Sequence, residues 1–137
     1  MTTIGLLERH IRSFLAYDLE GVLSDYAPDA VFFTPDATLR GREAIRGFFT
    51  ALLAEFRKPG ATFALGQQRI EADHAYILWT ARTAENVYEY ATDTFFIRNG
   101  KIEVQSFAGK VTPLSPLHAA PRRAGADDAA LLAATQA

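Results

Sequence analysis

Two side chains have the types and surroundings that acid/base chemistry requires. Asp93 lies in an apolar segment with strand character, between Ala91 and Phe95. Burial among apolar groups raises the pKa of a carboxyl group, which suits it to act as a general acid or as a neutral hydrogen-bond donor to an enolate. His10 lies at the edge of the apolar face of the first predicted helix, and an imidazole exchanges protons near neutral pH. We therefore predict that Asp93 and His10 form an acid/base pair facing one pocket.

Both residues also have a structural interpretation. An aspartate within a strand can bond a helix or a turn, and a histidine on an apolar stripe is commonly a hydrogen-bonded core residue. Under the catalytic hypothesis, His10→Ala and Asp93→Asn each abolish turnover and leave the melting temperature nearly unchanged. Tyr17 is a phenolic donor or a tyrosine packed at a helix end, and Asp36 is a second base or the cap of the turn after Pro35.

Other common chemistries lack support in the sequence. The chain has no cysteine, which excludes disulfides, thiolate nucleophiles and thiolate metal ligands. Its histidines have no metal-binding spacing and its serines no nucleophile-elbow context, so we expect no metal site and no serine hydrolase. There are 14 basic and 16 acidic residues and no basic run beyond Arg122-Arg123, so we expect no nucleic-acid binding. The lack of a long apolar stretch and of a signal-like N-terminus predicts a cytoplasmic protein without membrane contact.

The elements that must position the two side chains begin with three helices. Apolar residues recur at helical spacing from Ile4 to Leu15, and Asp18 is placed to cap a short second helix. A strand is predicted over 30–34, after a break at 26–29. The strongest periodic pattern follows Gly41 and predicts a third helix that ends near Lys58-Pro59-Gly60.

The remaining half of the chain has the character of strands. Four segments are rich in β-branched and aromatic residues, and Asn99-Gly100 is a strong hairpin signal. This order predicts an α+β fold in which a curved antiparallel sheet packs against helices. The domain is expected to span 1–111, followed by a Pro/Ala-rich tail over 112–137 that could end in a short docked helix. The predicted strands are 62–69, 75–83, 87–97 and 101–109.

Strand alternation predicts which side chains share a face with Asp93. A hairpin turn over 84–87 places Asp93 opposite Leu78, so that Tyr76, Leu78 and Thr80 lie on its face and Arg82 pairs with Glu89. The last strand has two possible registers. A two-residue turn directs Ile102, Val104 and Ser106 to the Asp93 face, whereas a bulge at Gly100 directs Glu103, Gln105 and Phe107 there.

The opposite face of the predicted sheet is also apolar. It carries Trp79, Tyr88, Tyr90 and Phe96 in the predicted register. An antiparallel sheet usually keeps one polar face, and exposed aromatic patches usually mark contacts. We therefore expect a homodimer formed through this outer face.

The segments in this order resemble the nuclear transport factor 2-like superfamily and its SnoaL-like and ketosteroid isomerase-like members. The residues that carry the resemblance are 18–21, 26–30, 41–49, and 93–95 followed by 99–102. The resemblance implies a cone-shaped α+β barrel, in which a curved, mostly antiparallel sheet wraps around N-terminal helices and encloses a pocket. It also implies a dimer and chemistry without a cofactor.

The functional positions of ketosteroid isomerases correspond one by one to residues of this chain. The general-base aspartate corresponds to Thr34, the oxyanion tyrosine to His10, the supporting tyrosine to Phe49, and the second oxyanion donor to Asp93. Because only Asp93 keeps the family's residue type, steroid isomerase activity is disfavoured. The epoxide-hydrolase branch is disfavoured as well, because it needs an Asp-Arg-Asp set and Arg82 is expected to pair with Glu89.

The sequence therefore predicts a cofactor-independent SnoaL-like enzyme for a small, apolar, carbonyl-bearing molecule. Asp93 and His10 would catalyse proton transfer in an isomerisation, cyclisation or dehydration. The alternative is a non-catalytic domain of the same fold that binds a small hydrophobic molecule or mediates dimerisation. The substrate-binding residues are predicted to be Tyr17, Phe32, Thr34, Phe49, Leu52, Tyr76, Leu78 and Thr80.

Overall fold

The computed structural model describes residues 1–114 as helices packed against a mixed six-stranded sheet. The strand order is β2-β1-β6-β5-β4-β3; β1 runs parallel to β6, and the other pairs are antiparallel. This architecture confirms the predicted α+β cone, with a sheet that remains unclosed. The elements are α1 (Thr3–Leu15), α2 (Leu19–Ser24), β1 (Tyr26–Phe33), β2 (Thr38–Arg40), α3 (Arg42–Arg57), β3 (Thr62–Glu71), β4 (His74–Arg82), β5 (Asn86–Arg98) and β6 (Lys101–Pro113).

The three predicted helices form where their sequence signals lie. Thr2 caps α1 by accepting a hydrogen bond from the Gly5 amide, and Asp18 caps α2 by accepting one from the Gly21 amide. Gly41 precedes α3 with a φ of 87°, a conformation that favours glycine. The apolar faces of α1 and α3 pack on the concave side of the sheet and bury the core of the domain.

The predicted register between β4 and β5 is wrong. Asp93 pairs with Ile77 and Ala91 pairs with Trp79, so the alternate residues Tyr76, Leu78 and Thr80 lie on the outer face. The hairpin closes at Arg82 and Val87, because the Thr83 hydroxyl accepts hydrogen bonds from the amides of residues 85 and 86. Neither this turn nor the bulge that follows it has a strong sequence signal.

A β-bulge between Tyr88 and Tyr90 changes which residues of β5 face the helices. Tyr88 and Ala91 both point inward, and their exposed fractions are 2% and 0%. The prediction that Trp79 and Tyr88 lie on the outer face is therefore wrong, while Tyr90 remains half-exposed there. The predicted Arg82–Glu89 pair is also wrong, because Arg82 faces Val87 and Glu89 instead accepts a hydrogen bond from Thr112.

The hairpin between β5 and β6 combines the two registers that the sequence left open. Asn99 and Gly100 form a two-residue turn with φ values of 55° and 72°, as a type I′ hairpin requires. Ile102 is buried, and a bulge at Glu103 then reverses the alternation so that Gln105 faces inward. A two-residue turn followed by a bulge therefore determines the face of this strand.

The outer face of the sheet carries exposed apolar side chains and small hydroxyl residues. Phe33, Tyr90 and Val104 are each more than a third exposed. Homodimerisation through this face stays a prediction. Two of the four aromatic residues expected on it, Trp79 and Tyr88, point inward instead. Within residues 1–114 no helix is long and apolar enough to cross a bilayer, and the predicted tail helix lies outside the described residues.

Gly109 provides a test of the close approach between β5 and β6. A Cβ atom at this position would lie 2.6 Å from the Tyr90 carbonyl oxygen and 2.9 Å from the Ala91 Cα, both backbone atoms. We expect Gly109→Ala to lower the free energy of unfolding by about 2 kcal/mol, because the backbones must separate. Gly47→Ala is the control. Gly47 is exposed on α3, and a Cβ atom added there would meet no neighbouring atom within 4 Å. This substitution should raise the free energy of unfolding by about 0.5–1 kcal/mol. Urea unfolding measures the change in free energy for both variants. Equal changes would contradict the pairing of Gly109 with Ala91.

Candidate functional site

An aromatic cavity lies between the helices and the concave face of the sheet. The centres of water molecules can occupy about 70 Å³ of it, which is room for several waters or a small organic molecule. Most of its wall is apolar, and three lining side chains are polar: Asp93, Gln105 and His10. The other lining residues are Ile11, Phe14, Phe32, Phe48, Phe49, Leu52, Phe63, Ile77, Trp79, Tyr88, Phe95, Phe107 and Val111.

The carboxyl group of Asp93 is held by two N–H donors from the neighbouring strands. The indole Nε1 of Trp79 donates to Oδ2 at 2.8 Å, and the amide Nε2 of Gln105 donates to Oδ1 at 2.9 Å. Burial raises the pKa of Asp93 to about 6, although the two donors and the positive charge of His10 oppose that rise. Each oxygen keeps acceptor capacity beyond its one bond, so the group can exchange a proton with a molecule in the cavity.

A row of buried hydrogen bonds continues from Asp93 toward α1. Gln105 accepts a hydrogen bond from the Tyr26 hydroxyl at 2.5 Å, and that hydroxyl lies 3.4 Å from Nε2 of His10. Burial raises the pKa of Tyr26 well above its usual value, and the nearby carboxylates of Asp93 and Asp25 add to this effect. Tyr26 therefore stays a neutral phenol, and its one proton is directed to Gln105.

The row ends in a buried ion cluster. Asp25 is fully buried, and its Oδ2 lies 2.9 Å from Nδ1 of His10. Its Oδ1 accepts a hydrogen bond from Nε of Arg9 at 2.9 Å and forms an ion pair with Nη2 of the same guanidinium at 2.6 Å. Both ring nitrogens of His10 are therefore engaged by Asp25 and Tyr26, and only the carbon edge of the ring is left to face the cavity.

The structure brings five of the ten predicted site residues to the cavity wall: His10, Phe32, Phe49, Leu52 and Asp93. His10 and Asp93 do not contact each other directly, because Tyr26 and Gln105 lie between them.

The other five predicted residues lie elsewhere. Tyr76, Leu78 and Thr80 lie on the outer face, because Asp93 pairs with Ile77. Tyr17 follows the end of α1, and the Cζ atom of Arg57 lies 5.3 Å above the centroid of its ring. Thr34 closes the β1–β2 turn, where its hydroxyl accepts hydrogen bonds from the amides of residues 36 and 37. These placements correct the prediction that the five residues line the cavity.

Four residues that form the polar wall or hold it carry weak signals in the sequence. The predicted register places Trp79 on the outer face, and only one of the two open registers directs Gln105 inward. Asp25 and Tyr26 precede Ala27 and Pro28, a stretch that reads as a break between elements. An aspartate next to a tyrosine at the start of a strand was the available signal. Among the described residues no group of three or more histidine, aspartate or glutamate side chains could hold a metal ion.

The ion cluster changes the expected effect of His10→Ala on stability. Removing the imidazole leaves the carboxylate of Asp25 fully buried with Arg9 as its remaining side-chain partner, which is costly. We expect His10→Ala to lower the free energy of unfolding by about 3 kcal/mol. His74→Ala, at an exposed histidine on the rim of the sheet, should cost less than about 1 kcal/mol. Equal losses in urea unfolding would contradict a buried contact between His10 and Asp25.

The raised pKa of Asp93 predicts a specific dependence of stability on pH. The unfolded chain ionises this group near 3.8 and the folded protein near 6, so the folded state is increasingly penalised as pH rises between these values. The free energy of unfolding of the wild type, minus that of Asp93→Asn, should therefore fall by about 3 kcal/mol between pH 3.5 and pH 7. Urea unfolding of both proteins at several pH values measures the difference, and a constant or rising difference would contradict the assignment.

Comparisons with known proteins agree with this fold. Residues 7–105 match the family described as the SnoaL-like domain. A nuclear transport factor 2-like protein of unknown function from Mesorhizobium loti is similar in structure, with a TM-score of 0.68, 23% identity, and coverage of 79% of this chain and 90% of that one. No curated protein matches the sequence.

Two further solved structures are similar to this chain. SalBIII, an epoxide hydrolase/cyclase-like enzyme of pyran ring formation in the polyether salinomycin, has a TM-score of 0.69 and 14% identity over 81% of this chain and 95% of its own. TerC, co-crystallised with polyporic acid, has a TM-score of 0.65 and 19% identity over 79% of this chain and 91% of its own. At these identities the likeness shows the fold alone. From the family match across most of the described residues, we conclude that the protein belongs to the SnoaL-like domain family.

Proposed function

We propose that the protein is a cofactor-independent enzyme that transfers a proton on a small, apolar, carbonyl-bearing molecule bound in the aromatic cavity. The observation that carries the proposal is the position of Asp93, a carboxyl group with a pKa of about 6 in an apolar wall. A group with a pKa near the working pH both accepts and returns protons efficiently. Family membership and the similarity to SalBIII support small-molecule chemistry in this cavity.

The cavity wall divides the proposed substrate into an apolar body and a polar end. Aromatic rings from both helices and strands would pack against the body, and they exclude water from the reacting atoms. The polar end would lie at the wall formed by Asp93 and Gln105. In its ionised form Asp93 would take a proton from the carbon next to the carbonyl group, and in its neutral form it would return the proton to the same or another carbon. Isomerisation, cyclisation and dehydration all use such a step.

His10 would act through its charge and position. Its two nitrogens bond Asp25 and Tyr26, which leaves neither free for a substrate. Its positive charge lowers the pKa of Asp93 and opposes the effect of burial. The proposal therefore assigns proton transfer to Asp93 alone and revises the acid/base pair that the sequence indicated.

A non-catalytic binding domain is the second candidate. The observation that favours it is Thr34, which corresponds to the general-base aspartate of ketosteroid isomerases and whose hydroxyl holds a turn. A domain of this kind would retain a hydrophobic molecule unchanged. Native mass spectrometry of freshly purified protein detects such a molecule.

Deuterium exchange into simple ketones tests the enzymatic proposal without knowledge of the natural substrate. The protein is incubated in D₂O with cyclohexanone, cyclohex-2-enone or 2-tetralone, and the loss of the proton next to the carbonyl is followed by ¹H NMR. We expect the wild type to accelerate exchange of at least one ketone and Asp93→Asn to be about a hundredfold slower. The rate should rise with pH through about 6, because the ionised carboxyl group takes the proton.

Asp29→Asn is the matched control, because Asp29 is an exposed carboxylate on β1 outside the cavity. It should exchange the ketones at the wild-type rate. Exchange that is equally fast in Asp93→Asn, or absent in the wild type with every ketone, would contradict the proposal. Absence of exchange together with a retained, unmodified ligand would favour the binding domain.

A further inference from the structure

We propose that Tyr26 and Gln105 are positioning residues that lock the amide of Gln105 with its N–H group toward Asp93. This inference rests on the proton-transfer role proposed for Asp93, and it names the residues that prepare that group for reaction. Neither side chain needs to touch the substrate to act in this way.

Tyr26 determines the orientation of the Gln105 amide. A glutamine side chain offers a carbonyl oxygen on one side and an NH₂ group on the other, and either can face a given neighbour. Tyr26 donates its hydroxyl proton to Oε1 of Gln105 at 2.5 Å, which places Nε2 toward Asp93 at 2.9 Å. Rotation of the amide by 180° would direct its NH₂ group at the hydroxyl and its oxygen at a carboxylate.

The phenol of Tyr26 is itself held in one orientation. The Tyr26 hydroxyl has one proton and two polar neighbours, and it lies 2.5 Å from Gln105 but 3.4 Å from His10. The shorter contact holds the proton. The His10 ring cannot turn freely, because its other nitrogen is bonded to the fully buried Asp25, which Arg9 also holds. The ion cluster therefore maintains the direction in which the phenol donates.

The fixed amide affects which protonation state of Asp93 is favoured. A neutral carboxyl group can donate its proton to an amide oxygen, whereas a carboxylate can only accept. With the amide locked, Gln105 offers Asp93 a donor in either protonation state, and this favours the carboxylate. Without Tyr26, the amide can rotate and accept a proton from neutral Asp93. The lock thus keeps the ionised form accessible in a cavity whose burial opposes it.

Few other titratable groups within the described residues bear on Asp93. His10 faces it from α1, with Asp25 behind that ring, and Tyr26 faces it from β1. Trp79 on β4 and Gln105 on β6 do not titrate, and α3 contributes apolar side chains to this wall. A change in the ionisation of Asp93 that follows loss of the phenol is therefore transmitted through Gln105 or through His10, and these two routes can be separated.

The test is a titration of the Asp93 carboxyl carbon by ¹³C NMR in aspartate-labelled protein without any ligand, with the signal assigned by its absence in Asp93→Asn. We expect the midpoint to rise by about one pH unit in Gln105→Leu, since one donor to the charged group is lost. Tyr26→Phe keeps the ring and should raise the midpoint by about half a unit. Tyr90→Phe removes an exposed phenol from the outer face and should leave the midpoint unchanged.

The double variant distinguishes a lock from a general structural effect. If Tyr26 acts through Gln105, then Tyr26→Phe combined with Gln105→Leu shifts the midpoint no further than Gln105→Leu alone. If Tyr26 acts through His10 or through loosened packing, the two shifts add. Additive shifts, or an unchanged midpoint in Tyr26→Phe, would overturn the proposal.

Two precautions keep the outcome interpretable. Each variant must unfold cooperatively in urea, and Gln105→Met, which keeps the length of the side chain, replaces Gln105→Leu if the latter does not fold. The ketone exchange assay is run on the same proteins. If the Asp93 midpoint is unchanged in Tyr26→Phe and ketone exchange is lost in Asp93→Asn, the lock is wrong and the proposed function stands. If the midpoint shifts as expected and Asp93→Asn exchanges ketones as fast as the wild type, the proposed function is wrong and the lock stands.

Discussion

A carboxyl group surrounded by aromatic rings needs hydrogen-bond donors, and the polar part of this structure follows from that need. Asp93 receives one N–H bond from each of the two strands that flank β5. The strand on one side supplies the chain's single tryptophan, and the strand on the other supplies Gln105. Gln105 in turn needs a donor for its own buried oxygen, and the row of hydrogen bonds therefore extends to Tyr26 and beyond.

Two β-bulges make these bonds geometrically possible. In β5 the bulge beside Tyr90 lets Tyr88, Ala91 and Asp93 all face the helices, which strict alternation would forbid. In β6 the bulge at Glu103 brings both Ile102 and Gln105 inward. Each bulge shifts a strand by one residue, and such a shift moves every later side chain to the other face.

The sequence specified the local elements well and the register poorly, for physical reasons. The caps at Asp18 and Gly41 and the turn at Asn99-Gly100 are decided by residues within a few positions, so their helices and hairpin could be predicted. The bulges are decided by packing between strands, for which neighbouring residues carry no signal. The inward positions of Trp79 and Gln105 depend on these bulges and could not be predicted from the sequence. Asp93 and His10, by contrast, line the cavity where the sequence predicts them.

The two ends of the cavity differ in how their hydroxyl and carboxyl groups are used. Tyr88 also lines the cavity, but its hydroxyl donates to the carboxylate of Glu55 at 2.9 Å, and that carboxylate accepts further bonds from Thr83 and Asn86. Burial raises the pKa of Tyr88 well above its usual value, so it presents a neutral ring to the cavity. Glu55 thus joins α3 to the β4–β5 turn and directs this hydroxyl away from the cavity. Because that end contributes an apolar surface, the polar groups that could orient a molecule in the cavity lie at the wall that contains Asp93.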